Sequence, residues 1–463
     1  MKNTTHKAMF PVWMLGIVIL FSRCDSFTEV DLPQSQLTAA AVFEDRVTAN
    51  AAMTDIYSKM RDNGVLSGLF TGLSNQLGLY SDELTSYNAP GSLSFHFSNN
   101  TLQASGAEIA QLWTSGYSQV YAANAVIEGV DNAAHLPEAD RSQLKGEALF
   151  VRGLLHCYLA NCFGSVPYIT TTDYAANRVA RRISENDVLL LAKSDLEQAT
   201  ALLPESYVSS ERVRPNRYAA YAVLARINLY LKLWDEASNA ASAVLNQTDL
   251  YVWETDLDKV FLKESNTTIW QFMPALMGNN TKESGTFSFF TGPPPASALS
   301  PALLGAFEPD DQRKAHWVKT ITNDSGSWSH AYKYKAFTNT GSSVEYSIVL
   351  RLAEQYLIRA EARAQAGDLI GAKEDLNKIR HTAGLPDSEA IGSAEIIAAV
   401  LKERQVELFC EFGHRFFDLK RNGMLDTVLS GLKPGWDAND RLLPLPQNEL
   451  LLNPNLAPQN EGY

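Results

Sequence analysis

Apolar residues recur every three to four positions along most of the chain, which is the spacing of an amphipathic α-helix. In one such stretch, Val47, Ile56 and Met60 are predicted to share a buried face. Gly164 and Pro167 follow another stretch and are typical of a helix end. The pattern predicts helices over residues 42–62, 107–131, 141–163 and about 185–202.

Two later segments, 219–245 and 354–380, resemble each other at a constant offset of 135 residues (354 minus 219). Each is predicted to form a helix, a brief break and a second helix. Small residues occupy the positions where the two helices must approach closely, which is typical of tetratricopeptide hairpins. The two units are not in tandem, so we expect the hairpins to form a scaffold that carries insertions.

Two long regions, about 63–106 and 247–345, show no helical period. The second is rich in Pro, Asn, Gly and aromatic residues, and its stretches 268–273 and 330–337 are predicted to be short strands. Loops of this length inside a compact protein are usually functional. The predicted fold is therefore mainly α, with helical hairpins packed against an irregular, loop-rich half that contains short strands and binds a ligand.

Composition and motifs exclude several classes of protein. The chain has 39 basic and 52 acidic residues, a net charge of -13, and no basic patch of the kind that nucleic-acid binding requires. It contains no C-x-x-C, H-E-x-x-H, G-x-S-x-G or Walker A pattern, so we predict no metal site, no cofactor and no hydrolase triad. The loop acids Asp82, Glu83, Asp310 and Asp311 are interpreted as caps or ionised surface groups, unlike a glycosidase pair.

The first residues resemble a lipoprotein signal. Lys2 and Lys7 precede a short apolar run from Met9 to Phe21, and Cys24 follows almost at once. We predict that residues 1–23 are a signal peptide, that Cys24 is acylated and anchors the protein to a membrane, and that 24–463 is one domain. Arg23 departs from the small residue usual before such a cysteine, so a plain signal peptide with an incidental Cys remains an alternative.

Five ordered stretches resemble the SusD/RagB family of nutrient-binding outer-membrane lipoproteins from Bacteroidetes. The most specific is ERQVELFCEFGHRFFDLKRNG at 403–423, and LPLPQNELLLNPNLAPQNEGY closes the sequence at 443–463. The others are 144–168, 216–237 and 350–385. In the 403–423 motif, Glu403, Glu407 and Glu411 are expected to stabilise a helix surface or clamp loops. The prolines of 443–463 predict a helix-free, extended tail.

The resemblance implies a fold, a location and a partner. Members of this family are α-helical with tetratricopeptide-like hairpins and sit on a SusC-like TonB-dependent transporter, to which many present glycans. That the chain is not an enzyme is expected from its residues, which contain no recognisable catalytic constellation. The chain is accordingly expected at the outer membrane, lipid-anchored and facing the exterior. Because some relatives handle peptides, a peptide ligand is an alternative to a glycan. The hairpins alone are also compatible with a protein-interaction scaffold, which is a further alternative.

Sugar recognition requires flat aromatic rings for the apolar faces of pyranoses, together with amides and charged groups for their hydroxyls. Both irregular regions contain this mixture of side chains. The residues predicted to contact ligand are Tyr87, Asn88, Phe95, His96, Trp317, Trp328 and Tyr332.

Overall fold

The computed structural model describes residues 39–463, so the predicted signal peptide and Cys24 lie outside the described residues. Helices dominate this part of the chain. In chain order they are α1 (Ala39–Val42), α2 (Arg46–Asp62), α3 (Leu73–Tyr80), α4 (Leu93–Ser98), α5 (Ala107–Asp131), α6 (Glu138–Phe163), α7 (Tyr174–Asn177), α8 (Glu185–Leu202), α9 (Arg217–Tyr230), α10 (Trp234–Leu245), α11 (Lys282–Phe287), α12 (Pro301–Ala306), α13 (Gln312–Trp317), α14 (Leu352–Ala366), α15 (Leu369–Thr382), α16 (Ser393–Glu407), α17 (His414–Arg421), α18 (Leu425–Leu429) and α19 (Gln447–Leu452).

The strands are short and form antiparallel pairs. β1 pairs with β3, β2 pairs with β6, and β4 pairs with β5. Their bounds are β1 (Leu84–Ser86), β2 (Thr268–Phe272), β3 (Ser297–Leu299), β4 (Val318–Asn323), β5 (Gly326–Ala331) and β6 (Ser347–Arg351). The mainly α class with short strands is therefore confirmed.

The long helices stack side by side. α5 packs on α6, α6 on α8, α8 on α9, and α9 on α10. α10 then contacts α14, which packs on both α15 and α16. The predicted hairpins are thus α9–α10 and α14–α15, and the alanines expected at their contacts are fully buried, which lets the backbones approach closely: Ala225, Ala237, Ala360 and Ala372.

Local capping explains where these helices begin and end. α14 ends at Gly367, whose φ of +93° is a left-handed conformation that favours glycine. The side chain of Asp368 then accepts a hydrogen bond from the backbone N–H of Gly371 and starts α15. The first predicted helix was placed too early, because Asp45 caps α2 at Arg46, and Val47 is exposed instead of buried.

The tail forms a C-terminal strap, residues 443–463, across the end of α6. The backbone N–H of Leu443 donates to the carbonyl oxygen of Cys162 at 2.8 Å, and the Asn460 amide donates to the carbonyl of Phe163 at 2.8 Å. The expectation of a helix-free tail was wrong, since α19 forms between Pro446 and Pro454. The prolines flank this short helix and do not interrupt it.

Among the described helices, none combines the length and the hydrophobicity needed to cross a bilayer.

Candidate ligand-binding face

The two irregular regions meet at the small β1–β3 sheet. Leu84 of β1 lies opposite Leu299 of β3. Just beyond the sheet, the backbone N–H of Tyr87 donates to the carbonyl oxygen of Ala296 at 2.7 Å, and the Asn88 side-chain amide donates to the same oxygen at 3.2 Å. Residues more than 200 positions apart are therefore held on one side of the molecule.

The other two candidates of the first region lie on α4, which contacts β1. The rings of Phe95 and His96 are half-buried and meet edge to face, with centroids 5.9 Å apart. His96 Nδ1 lies 3.4 Å from the Thr101 hydroxyl oxygen. The structure thus groups the four candidates of the first region around one strand.

Trp328 connects the second region to this group. It lies on β5 opposite Ile321, and its half-exposed ring packs against Gly292 so closely that a Cβ there would come within 2.2 Å of it. The side-chain amide of Asn323 donates to the carbonyl oxygen of Gly292 at 2.8 Å. Only glycine at position 292 leaves room for the indole, so the segment from Gly292 to Ala296 bridges Trp328 and Tyr87.

Tyr332 lies further along the same chain segment and is half-buried. The ammonium groups of Lys319 and Lys335 lie 4.9 and 5.4 Å from its ring centroid. These are cation–π distances, so part of the ring is already engaged by cations. The predicted strand over 330–337 was wrong over most of its length, since β5 spans Gly326–Ala331 and contains only the first two residues of the predicted range.

Trp317 is a correction to the predicted site. Its side chain is 1% exposed, and its indole N–H donates to the carbonyl oxygen of Leu257 at 2.9 Å. The ring meets Phe261 edge to face, with centroids 5.3 Å apart. A ring enclosed in this way has no free face for a sugar, so Trp317 belongs to the core.

Two exposed rings were missed by the sequence argument. Phe290 is 62% exposed and meets the exposed Phe337 edge to face at 5.0 Å. The signal was present in the sequence, because Phe290 ends the run FSFF, and Thr291 and Gly292 separate it from three prolines in a stretch without helical period. We call the resulting surface the loop face, and define it by the residues Tyr87, Asn88, Phe290, Trp328 and Phe337.

A buried ion cluster fastens the second irregular region to the 403–423 motif. The Arg351 guanidinium of β6 donates to both carboxylate oxygens of Glu411, at 2.8 and 2.9 Å, and to the carbonyl oxygen of Glu407 at 2.8 Å. Arg313 of α13 pairs with Glu403 at 2.6 Å. Neighbouring cations lower the pKa of Glu411 to about 2 against the cost of its burial. The expectation that these glutamates clamp loops is therefore confirmed, whereas the alternative of a helix surface was wrong.

The first region is fastened to the same motif through Asp82 and Glu83. Arg415 forks onto Asp82, with N–O distances of 2.8 and 2.7 Å, and the backbone N–H of Cys410 donates to Glu83 at 3.2 Å. Both acids are buried. They hold β1 in place, and β1 in turn positions Tyr87.

The pKa of Glu83 provides a test of this anchor. Burial, together with the neighbouring charge of Asp82, raises the pKa from its usual 4.5 to about 8. The unfolded chain loses this proton near pH 4.5 while the folded protein keeps it, so Glu83 costs stability as the pH rises from about 4.5 to 8. A shift of one pKa unit corresponds to about 1.4 kcal/mol.

We therefore expect Glu83→Gln to gain at least about 1.4 kcal/mol in free energy of unfolding relative to the natural protein between pH 5 and pH 8. Urea denaturation at both pH values measures this difference. The matched control is Glu44→Gln, at an exposed residue of the same type. Parallel pH profiles for Glu83→Gln and the natural protein would show that the buried carboxyl is ionised.

Within residues 39–463, no group of three or more His, Cys, Asp or Glu side chains is arranged to hold a metal ion.

Comparison with known proteins agrees with this architecture. A model described as "Starch-binding associating with outer membrane", SusD-like, matches residues 45–229, and the SusD family model matches 313–463. The chain belongs to the SusD/RagB family. SusD-like protein P25 of Formosa agariphila is 23% identical, over 96% of this chain and 98% of its own length.

Solved structures of SusD-like proteins share the fold. A laminarin-binding SusD-like protein is 22% identical, with a TM-score of 0.75 over 90% of this chain and 99% of its own. Surface glycan-binding protein A from Bacteroides fluxus is 21% identical, with a TM-score of 0.73 over 90% of this chain and 100% of its own. The SusD family is non-catalytic, so this SusD-like protein is not an enzyme, and its family is associated with the outer membrane.

Proposed function

We propose that this SusD-like protein captures a glycan on the loop face and passes it to a TonB-dependent transporter in the outer membrane. The observation that carries the proposal is the set of aromatic rings around the segment from Phe290 to Ala296. Their exposed apolar faces suit the apolar faces of pyranose rings. The Asn88 amide lies beside them and supplies a planar polar group for hydroxyls.

Two solved relatives support the choice of a glycan over a peptide. One is described as laminarin-binding and the other as a surface glycan-binding protein. Family resemblance supports the transporter as partner. Anchoring through an acylated Cys24, with the loop face exposed to the cell exterior, would keep the captured glycan beside that transporter.

The test is calorimetric titration of residues 25–463 with a panel of glycans that includes laminarin and starch. Each ring contributes about 1 kcal/mol, so the triple variant Tyr87→Ala/Phe290→Ala/Trp328→Ala is expected to bind on the order of a hundredfold more weakly. The matched control is Trp234→Ala, which removes a half-buried indole from the helical stack. It should leave affinity unchanged.

Folding of each variant is checked by circular dichroism. Unaltered affinity in a folded triple variant would remove the loop face from the site. A panel in which peptides bind and glycans do not would replace the glycan with a peptide ligand. Measurable cleavage of any glycan in the panel would contradict capture without catalysis.

A further inference from the structure

A second aromatic cleft lies on the helical half of the molecule. It is bounded by α5, by the segment 167–178 that includes α7, and by α19 of the C-terminal strap, and it encloses about 400 Å³. Small-molecule sites range from about 300 to 1,000 Å³. The cleft shares no residue with the loop face, so it requires its own explanation.

Three rings of α5 line one side of this cleft. Trp113, Tyr117 and Tyr121 are spaced four residues apart, so they lie on one face of the helix and span about 12 Å along its axis. The rings of Trp113 and Tyr117 have centroids 4.7 Å apart, and the Tyr117 hydroxyl donates to the carbonyl oxygen of Pro167 at 2.8 Å. These contacts fix the floor of the cleft before any ligand arrives.

Two phenol rings at the rim of the cleft are exposed to solvent, one from α5 and one from α7. Tyr121 is 51% exposed and Tyr174 of α7 is 77% exposed. Exposed rings of this size contribute little to folding, because their apolar area is not removed from water. Two of them at the mouth of an aromatic-floored cleft form a stacking surface on which no described side chain packs as a ring partner.

Polar groups suited to hydroxyls lie beside these rings. The half-buried Glu449 lines the cleft together with Trp113, and its carboxylate forms no ion pair with any cation of residues 39–463. The exposed Arg178 likewise has no carboxylate partner in that part of the chain. One unpaired anion and one unpaired cation give the cleft a balanced charge, which suits a neutral ligand with many hydroxyls better than a charged one.

We propose that this tyrosine cleft, defined by Trp113, Tyr117, Tyr121, Tyr174 and Glu449, is a second binding site for a neutral oligosaccharide. The proposal rests on the proposed glycan capture but uses different residues. Two sites on one protein would bind a long polysaccharide through avidity, since the second contact is intramolecular once the first has formed. A short oligosaccharide cannot occupy both sites and gains nothing from the second.

The experiment compares laminarin with a short laminari-oligosaccharide in four proteins. These are the natural chain, Trp328→Ala, Tyr121→Ala/Tyr174→Ala, and the matched control Tyr121→Phe/Tyr174→Phe, which keeps both rings. The double Ala variant should lose about tenfold in affinity for laminarin. Its affinity for the oligosaccharide at the loop face should equal that of the natural protein. The double Phe variant should bind both glycans as the natural protein does, because stacking requires the ring and not the hydroxyl.

Each contrary result has a separate meaning. Equal affinities of the double Ala variant and the natural protein for both glycans would overturn the tyrosine cleft. Binding that is unchanged in Trp328→Ala and lost in the double Ala variant would support the cleft and contradict the loop face. A peptide whose binding requires Tyr121 and Tyr174, with no glycan effect, would overturn the saccharide assignment.

Discussion

Replacing Arg351 with Met is expected to lower the free energy of unfolding by about 3–5 kcal/mol. Arg351 is 3% exposed and makes four hydrogen bonds to Glu407 and Glu411, which are themselves buried. A methionine fills much of the space but supplies no charge. The two glutamates would then keep only Arg313 and Lys333 as nearby cations. Buried carboxylates with fewer cationic partners raise the free energy of the folded state.

Urea denaturation followed by circular dichroism measures this loss. The matched control is Lys59→Met, which removes an exposed ion pair with Asp55 and should have no measurable effect. The double variant Arg351→Met/Glu411→Met should lose less stability than the sum of the losses of the two single variants, since both single variants break the same ion pair. A loss below 1 kcal/mol for Arg351→Met would show that the cluster is hydrated.

Replacing Trp317 with Ala is expected to cost about 3–5 kcal/mol of stability, as for other buried tryptophans. Its ring fills the space beside Phe261, lies 5.3 Å from the Lys333 ammonium group, and donates a hydrogen bond to Leu257. Removal leaves a cavity next to the buried ion cluster and an unpaired carbonyl oxygen. The expected result is therefore a fall in denaturation temperature, measured by calorimetry.

The informative control for Trp317→Ala is Trp328→Ala. The second ring is half-exposed and lies on the loop face, so it should cost much less stability while weakening glycan binding. The two tryptophans are eleven positions apart (328 minus 317) in the same irregular region, and the sequence alone assigned both to the ligand. A Trp317→Ala protein that unfolds like the natural one but fails to bind glycan would restore the original assignment.

The helical half could be predicted well because its signals are local. Each helical segment shows an apolar period of three to four residues, with alanine at the hairpin contacts. The helices predicted from this period are confirmed in α5, α6, α9 and α14. Boundaries were less certain, as α2 shows, because a single Asp45 side chain decides where that helix begins. Proline can interrupt a helix or mark its ends. The two prolines on either side of α19 were interpreted as excluding a helix, whereas they mark where this helix begins and ends.

The position of the loop-rich half along the chain could be predicted from the sequence, but which of its side chains are buried could not. Whether a loop aromatic is buried depends on partners far away in the chain, such as Leu257 for Trp317 and Gly292 for Trp328. For the same reason, the sequence left two alternatives for the glutamates of the 403–423 motif, a helix surface or a clamp on loops. Their partners Arg313 and Arg351 come from the irregular region and from β6, which no local period connects to α16.

The C-terminal strap has a consequence for the order in which the protein can fold. Its Leu443 binds the carbonyl of Cys162, and these residues are separated by 281 positions (443 minus 162). At about 5–20 residues per second, synthesis of that interval takes roughly 15–55 seconds. The end of α6 therefore stays uncovered until residues 443–463 have been synthesised, and packing of the strap is a late step of folding.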